Sequence, residues 1–493
     1  MTPLGVLDLV PVTSGSDPAE AIRNSIDLAR RAEEFGYARY WYAEHHFNPG
    51  VAGTSPAVML ALTAPATSTI RLGSGAVQMG HRTPVSVVEE FGLLDAAYPG
   101  RFDLGIGRSA GRGKGGSAPP PVAEPHVVDG LLIPRPYDPS QMKDAVIAKL
   151  GRSFMTLPGA EVPDYARQVD EVLGLLRGTI ASPTGGPVPV VPGRGADVQV
   201  WVLGSSAGVS AQSAGRHGLR FAANYHVSPA NVLEAVRGYR EAFQPGDVSR
   251  PYVSISADVV VAKDSQDARS LAAGYPAWVR SIRCGAGAIE FPSPDEARSS
   301  SWTPADRELV ADRVDTQFVG SPAQVADQLE VLRNATGADE LIVTTITHDH
   351  ADRVRSFELL AQEWSARLVE VDRLADLRPL VVLGSGLSHG AGHVVNRVAA
   401  EHEVQGRPRV VGEVEEDASD LGRVDRLLAG GRAQVPGHRA YGGVVVGAER
   451  RDLNGRTGPV GPHRAGLGER DADAERTNLL RQHAGEALDR ELG

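Results

Sequence analysis

The amino-acid sequence predicts an α/β protein of the TIM (β/α)8 barrel class with insertions. Short apolar runs alternate with amphipathic helical segments over roughly the first 370 of the 493 residues. About eight such runs occur, which is the number that closes a barrel of parallel strands. Small and polar residues follow several of the runs, where a barrel carries its functional groups. A doubly wound open sheet is the alternative that the same alternation allows.

The first half of this region contains four predicted strands, over residues 4–10, 38–44, 70–79 and 102–107. The helix between the first two strands has clear end signals, because Asp17 can cap its start, Pro18 suits its first turn and Gly36 suits its end. Residues 55–67 and 84–97 are predicted to form the helices that follow the next two strands. This rhythm is typical of parallel strands joined by crossover helices.

The second half continues the alternation after an interruption. Its predicted strands cover residues 198–206, 218–223, 252–262 and 338–346. Its predicted helices cover residues 163–178, 208–217, 229–243, 321–337 and 353–368. We therefore assign residues 1–369 to one barrel domain.

Two segments do not follow the pattern. Residues 109–125 are rich in glycine and proline and residues 126–160 are weakly patterned, which predicts an irregular insertion loop over 109–160. Residues 370–493 contain a single aromatic residue, Tyr441, and no lysine. A segment so poor in large apolar groups cannot offset the entropy cost of ordering, so we predict a disordered tail.

Composition excludes several functional classes. The formal net charge of −11 argues against a nucleic-acid partner. A single cysteine, Cys284, excludes a disulfide within the chain. No apolar run reaches the length of a membrane span, and the first residues lack the basic region of a signal peptide. These features predict a cytoplasmic protein without a membrane partner.

The second predicted strand ends in Glu44, His45 and His46. Imidazole titrates near neutral pH, so a histidine at a barrel mouth can accept or give a proton. The alternative is a hydrogen-bonded histidine pair that only terminates the strand. Adjacent residues of a strand point to opposite faces, so the two histidines are not expected to bind one ion, and we predict no metal.

Glycine-rich segments follow two other strands of the first half. GSGAVQMG (73–80) follows the third strand and offers a surface for a flat ring, or alternatively a bulge that bends the strand. GIGRSAG (105–111) ends the fourth strand, and Arg108 offers a planar guanidinium to a phosphate or another anion. Neither segment is specific alone.

A stronger anion signal lies in VLGSSAGVSAQ (202–212), where a strand ends at Gly204 and a helix follows. Backbone N–H groups at the helix start, together with the hydroxyls of Ser205, Ser206 and Ser210, are suited to hold a phosphate. The alternative is a serine N-cap without a ligand. Near the last strand, THDH (347–350) is interpreted as a loop and helix cap and not as a metal site.

Four segments together resemble the luciferase-like flavin monooxygenase family, which includes bacterial luciferase. They occur in the family's order and are YWYAEHHF, RLGSGAVQMGHRTPVSVVEEFGLLDAAYPGRFDLGIGR, WVLGSSAGVSAQSAGRHGLRFA and GADELIVTTITHDHADRVRSFELL. The resemblance spans residue 4 to about residue 368 and implies a TIM barrel with a flavin at its carboxyl-terminal mouth.

The resemblance also implies roles for single residues. His45 matches the family's catalytic histidine, with Glu44 or His46 in support. Gly75 and Ala76 match a pair joined by a cis peptide bond beside the isoalloxazine ring. The residues matching the region that faces the flavin phosphate are Arg108, Gly204, Ser205, Ser206 and Ser210. Gly107 departs from luciferase, which has a reactive cysteine there, so light emission is not expected.

The activity implied by the resemblance is oxygenation of a small organic substrate by reduced FMN and O2 through a flavin 4a-hydroperoxide. The family further implies a separate NAD(P)H:flavin reductase that supplies reduced FMN, and a homodimer. One alternative is a deazaflavin-dependent oxidoreductase that transfers hydride on the same fold, although the Glu44–His46 stretch favours FMN. Another is a non-catalytic flavin-binding subunit, against which His45 and Arg108 argue.

Overall fold

In the computed structural model, eight parallel strands close into a barrel. The structure describes residues 2–108, 123–138, 145–157, 159–161 and 163–383, with side chains through residue 367. In chain order the barrel strands β1 to β8 are Leu4–Asp8, Arg39–Tyr42, Arg71–Ser74, Phe102–Gly107, Gln199–Gly204, Arg220–Asn224, Val253–Val261 and Glu340–Thr344. Each strand pairs in parallel with the next, and β8 pairs with β1. The predicted barrel is confirmed, and the open-sheet alternative is wrong.

Helices connect the strands on the outside and cover one end of the barrel. In chain order, the described residues form helices at Pro18–Glu34, Pro56–Thr63, Pro84–Ala97, Val146–Phe154, Tyr165–Arg177, Val209–Arg216, Val232–Ala242, Ser265–Leu271, Tyr275–Arg283, Pro294–Ser299, Pro304–Val314, Pro322–Thr336 and His350–Leu383. Short strands at Val77–Gln78 and Phe318–Gly320 extend the sheet beside β4 and β7.

Local sequence signals explain the helix ends. The carboxylate of Asp17 accepts a hydrogen bond from the backbone N–H of Glu20 at 2.8 Å, and Gly36 adopts a left-handed φ of +85° after the helix. Asp349 caps the last helix by accepting from the N–H of Ala351 at 2.7 Å. The interpretation of THDH as a loop and helix cap is therefore confirmed.

Buried ion pairs close the amino-terminal end of the barrel. The guanidinium of Arg39, at the start of β2, contacts the carboxylates of Asp103 in β4 and Glu340 in β8. The indole N–H of Trp41 donates to Asp103 at 2.9 Å, and the Arg39 guanidinium lies 4.8 Å from the ring centre of Trp201. This end is filled by protein groups, so a ligand site is expected at the opposite end.

The carboxyl-terminal end is covered by helices Tyr275–Arg283 and Pro304–Val314. Their apolar side chains form one cluster with residues that follow strands of the barrel, including Leu9, Ala43 and Ile346. Sequence patterns predicted no helix or strand within residues 263–320, which contain both helices and form most of the connection between β7 and β8. This connection therefore supplies part of the wall around the barrel mouth.

The predicted irregular loop and the predicted end of the barrel domain both need correction. Residues 109–160 are not irregular throughout, because strands His126–Val128 and Leu131–Ile133 form an antiparallel hairpin. Its turn, Asp129–Gly130, has positive φ angles of 50° and 85°, which an Asp-Gly pair adopts readily. The last helix continues to Leu383, so the predicted boundary at residue 369 lies inside it.

The predicted disordered tail lies, from residue 384 onward, outside the described residues. The described residues belong to one compact unit, Met1–Gly392. Within them, no helix combines the length and the apolar character that crossing a membrane requires.

Candidate active site

Glu44 is the centre of a polar cluster at the carboxyl-terminal end of β2. The residue is 3% exposed, and its Oε1 lies 2.9 Å from Nε2 of His46 and 3.0 Å from Nε2 of His81. Its Oε2 accepts from the backbone N–H of Gln78 at 3.0 Å. The guanidinium Nε of Arg82 lies 3.5 Å from Oε1. The carboxylate therefore joins the end of β2 to the segment that follows β3.

The environment of Glu44 keeps it ionised. Burial alone raises its pKa, but the hydrogen bonds from His46, His81 and Gln78 and the charge of Arg82 outweigh burial and lower the pKa to about 2. Glu44 is therefore a fixed anion at neutral pH. It orients the two imidazoles and is not available as a proton acceptor.

His45 lies beside this cluster and has a free ring nitrogen. Its backbone N–H donates to the carbonyl of Gly53 at 2.8 Å, while its ring Nδ1 is buried and has no hydrogen-bond partner. Burial lowers the pKa of His45 to about 4, and the charges of His46 and Arg313 act in the same direction. The imidazole is neutral at pH 7 and can accept a proton from a ligand.

A second histidine, His226, lies near His45 and was missed in the sequence. It follows β6, and its Nδ1 lies 2.7 Å from Oγ of Ser256 in β7. Burial lowers the pKa of His226 to about 3, and the charges of Arg313 and His45 lower it further. The rule that located His45, a polar residue just after a barrel strand, also applies to His226 and was sufficient to find it.

Small residues form the end of β3. The peptide bond between Gly75 and Ala76 is cis, as the family resemblance implied. A Cβ on Gly75 would lie 2.8 Å from Cδ1 of Leu7 and 3.2 Å from the ring of Trp41, so a larger residue there would require these side chains to move. A Cβ on Gly107, at the end of β4, would lie 3.0 Å from Cβ of Ala76. The ends of β3 and β4 therefore meet closely at the mouth.

Hydroxyls and a cation gather beyond β4 and β5. Tyr165 donates to the carbonyl of Ile106 at 3.1 Å. Burial raises the pKa of the Tyr165 hydroxyl above its usual value, while a hydrogen bond with Ser210 and the charge of Arg108 act in the opposite direction. Ser210 is buried, whereas Arg108 is exposed. These side chains come from three separate segments of the chain. Tyr165 had no strand-end signal in the sequence because it begins a helix.

The loop after β5 leaves the start of its helix open to an anion. Gly204 ends the strand, Ser205 is exposed, and Oγ of Ser206 accepts from the N–H of Gly208 at 3.4 Å. Gly208 is the N-cap of helix Val209–Arg216 and has no side chain to cap it. The first N–H groups of this helix, with the neighbouring hydroxyls, are suited to bind phosphate oxygens.

The predicted site residues thus lie at one end of the barrel. Glu44, His45 and His46 follow β2, Gly75 and Ala76 follow β3, and the remaining ones follow β4 and β5, namely Arg108, Gly204, Ser205, Ser206 and Ser210. The carboxyl ends of all barrel strands lie on the same side because the strands are parallel. The structure therefore brings the histidine group and the serine loop to the same mouth.

The side chains around Glu44 also include a group of the type that can bind a metal ion. One ligand atom each from Glu44, His46 and His81 lie within 4.8 Å of one another. The carboxylate is already occupied by hydrogen bonds, however, and the Arg82 guanidinium adjoins it. The histidines of the THDH segment do not join them, because His348 pairs with the carbonyl of Ser14 and His350 with Asp27.

Comparisons with known proteins identify the family. The family model for luciferase-like monooxygenases matches residues 2–116 and 151–340. The uncharacterized protein YvbT of Bacillus subtilis (strain 168) is 36% identical over 371 residues, covering 74% of this chain and 98% of YvbT. A luciferase-like monooxygenase of Escherichia coli (strain K12) is 32% identical over 359 residues, covering 72% of this chain and 94% of that protein.

A solved structure agrees with these matches. The crystal structure of apo-MsnO8 superposes with a TM-score of 0.59 at 33% sequence identity, and the match covers 74% of this chain and 99% of MsnO8. The residues that the family model matches include most of the barrel strands. The chain therefore belongs to the luciferase-like monooxygenase family.

Proposed function

We propose that this protein is a flavin-dependent monooxygenase that uses reduced FMN and O2 to oxygenate a small organic substrate. One observation carries the proposal: a neutral, partly unpaired histidine and a phosphate-type cradle of hydroxyls lie at the same barrel mouth. Membership of the luciferase-like monooxygenase family supports the same reaction class.

The residues at the mouth fit a flavin mononucleotide. The loop Ser205–Ser210 offers hydroxyls and uncapped helix N–H groups, and Arg108 adds a positive charge, so the donors match a phosphate. The small residues Gly75, Ala76 and Gly107 leave the ends of β3 and β4 without bulky side chains, as a flat ring requires. Reduced FMN, when bound, supplies the electrons with which O2 is activated.

The side chains of this chain supply positioning and proton handling. His45 is neutral and has an unpaired Nδ1, so it can take a proton from the substrate or return one. Glu44 remains ionised and holds His46 and the segment after β3 in place. The helices that join β7 to β8 cover the mouth and limit the access of water.

Two partners belong to this proposal. A separate NAD(P)H:flavin reductase delivers reduced FMN, and the protein acts as a homodimer. Support for the dimer comes from Leu62 and Leu93, which remain 49% and 62% exposed on two helices that pack on each other. Light scattering of the purified protein tests the dimer, since a mass equal to one chain contradicts it.

Cofactor choice is tested by anaerobic titration of the full chain with reduced FMN, with reduced riboflavin and with a reduced deazaflavin. We expect reduced FMN to bind more tightly than reduced riboflavin, which lacks the phosphate, and more tightly than the reduced deazaflavin. Oxygen uptake is then followed with a panel of aldehydes, sulfonates and aromatic polyketides. Tighter binding of the deazaflavin, or no product from any substrate, contradicts the proposal.

A further inference from the structure

Arg313 is a buried cation beside the barrel mouth that neither the family comparison nor the sequence singled out. It lies in helix Pro304–Val314, and the residue is 6% exposed. Its Nη2 lies 3.5 Å from Oδ2 of Asp258, and its Nε–H is buried without a hydrogen-bond partner. A buried N–H without an acceptor is costly, and a ligand that supplied an acceptor would remove this cost.

Aromatic rings hold the guanidinium in place. Its central carbon lies 5.5 Å from the ring centre of Tyr275 and 5.5 Å from that of Trp278. The indole N–H of Trp278 is also buried and has no partner. Two unused donors, a charged one and a neutral one, therefore occur in one small group of side chains.

The nearby acids leave the Arg313 charge available. Asp258 accepts a hydrogen bond from the hydroxyl of Tyr275, so it is shared between two donors. Asp312, the neighbour of Arg313 in the helix, pairs with Arg283 at 2.7 Å. Neither carboxylate therefore accepts a hydrogen bond from the Nε–H of Arg313.

The Arg313 charge also acts on the two histidines of the mouth. It lowers the pKa of His226, after burial as the main cause, and it contributes to the lowered pKa of His45. These histidines follow β2 and β6, which lie on different sides of the barrel. Arg313 therefore lies close enough to both histidines for its charge to act on them.

We propose that Arg313 anchors an oxyanion of the organic substrate, with the Trp278 indole N–H as a second donor. The inference rests on the proposed function, because it assigns the substrate to small organic acids with a carboxylate or a sulfonate. A guanidinium pairs well with either group, since both present two or more oxygens to its N–H groups. The reacting part of the substrate then lies toward His45.

Binding of simple probes to the full chain without flavin tests the proposal. Titration calorimetry compares hexanoate and hexane-1-sulfonate with the neutral hexanamide. We expect both anions, or one of the two, to bind about tenfold or more tightly than the amide. If hexanoate, hexane-1-sulfonate and hexanamide bind equally, or none binds, the proposal is overturned; a preference for one anion identifies the carboxylate or sulfonate as the class.

Variants localise the effect. Arg313→Lys keeps the charge but removes the Nε–H, and we expect the anion preference to fall about tenfold. Trp278→Phe keeps the ring and removes the N–H, and a severalfold loss is expected. Arg280→Lys is the matched control, because Arg280 lies in the same helix as Trp278 and stacks 5.3 Å from Trp302 instead. Unchanged anion preference in both Arg313→Lys and Trp278→Phe overturns the proposal.

A parallel FMN titration separates this inference from the proposed function. Anion preference that depends on Arg313 in a protein that does not bind FMN supports the anion site and contradicts the proposed cofactor. FMN binding without any preference for anions contradicts the role of Arg313 alone. Thermal unfolding of Arg313→Lys shows whether its fold is intact, and if it is not, the wild-type comparison of anions with hexanamide decides.

Discussion

Oε1 of Glu44 accepts a hydrogen bond from Nε2 of His46 at 2.9 Å, two residues further along the chain. This contact explains why β2 ends in an acid followed by two histidines. The buried carboxylate of Glu44 fixes His46 and the segment after β3. His45, which lies between Glu44 and His46 in the sequence, keeps an unpaired ring nitrogen. The polar end of the strand is thus divided into a structural anion and a free imidazole.

Replacing the Glu44 carboxylate should destabilise the fold. In Glu44→Gln an amide NH2 would face donors that now bind an anion, and we expect the free energy of unfolding to fall by roughly 2–4 kcal/mol. Urea unfolding at pH 7 measures this loss. The control is Glu241→Gln, an exposed carboxylate whose change should cost about 0.5 kcal/mol or less.

The stability of the wild-type protein should depend on acid pH more strongly than the stability of Glu44→Gln. The pKa of Glu44 is about 2 in the fold and 4.5 without it, so its stabilising effect is complete above pH 4.5 and is lost as the pH falls toward 2. The difference in stability between wild type and Glu44→Gln should therefore shrink over this window. A constant difference from pH 5 to pH 2.5 would show that charge is not its cause.

Removing the His45 imidazole should slow substrate oxygenation by roughly 100-fold or more if it transfers a proton. His45→Ala is assayed by product formation at saturating reduced FMN, with FMN affinity measured alongside. The matched control is His217→Ala, because His217 pairs with Asp170 on the protein surface. An unchanged product yield in His45→Ala, with normal FMN binding, removes His45 from the mechanism.

His226 should make the protein sensitive to mild acid. Its pKa is about 3 in the fold and 6.5 without it, so the unfolded chain binds the extra proton between these values. Stability from this group is complete above pH 6.5 and falls as the pH drops toward 3. Between pH 7 and pH 5, wild type should lose roughly 2 kcal/mol more than His226→Asn. Equal losses in urea unfolding would contradict the buried neutral imidazole.

The phosphate cradle should distinguish FMN from riboflavin. Arg108→Ala and Ser210→Ala each remove a donor or a charge from the proposed phosphate site, so FMN affinity should fall by roughly tenfold or more. Riboflavin has no phosphate, and its affinity should remain within about twofold. Arg177→Ala serves as the control, since Arg177 pairs with Asp247 elsewhere on the surface. Equal effects on both flavins would place the phosphate at another position.

Much of the barrel could be predicted because its signals are local. Each strand is a short apolar run, and caps such as Asp17 and Asp349 lie within three residues of the N–H groups they bind. The strand-end rule then placed His45 and Ser210 at the same end of the barrel without any knowledge of distances. The hairpin at Asp129–Gly130 carried an equally local turn signal, and its Asp-Gly pair was overlooked.

The remaining parts of the site depend on contacts between distant segments. Arg313 is buried because Asp258, Tyr275 and Trp278 surround it. The sequence of its own helix contains no signal that predicts this burial. His81 contacts Glu44 because the short segment after β3 places it next to the end of β2. Tyr165 approaches Ser210 only because β4 and β5 are neighbours in the barrel, across an insertion in the sequence.

The central claim is that one barrel mouth holds a flavin, with an imidazole on one side and a phosphate cradle on the other. A crystal structure of the full chain soaked with FMN tests it most directly. The account predicts the phosphate at Ser205, Ser206 and Ser210, and the ring against Gly75–Ala76 with His45 alongside. Well-ordered FMN bound outside the carboxyl-terminal mouth, or bound there with its phosphate remote from these serines, would contradict it.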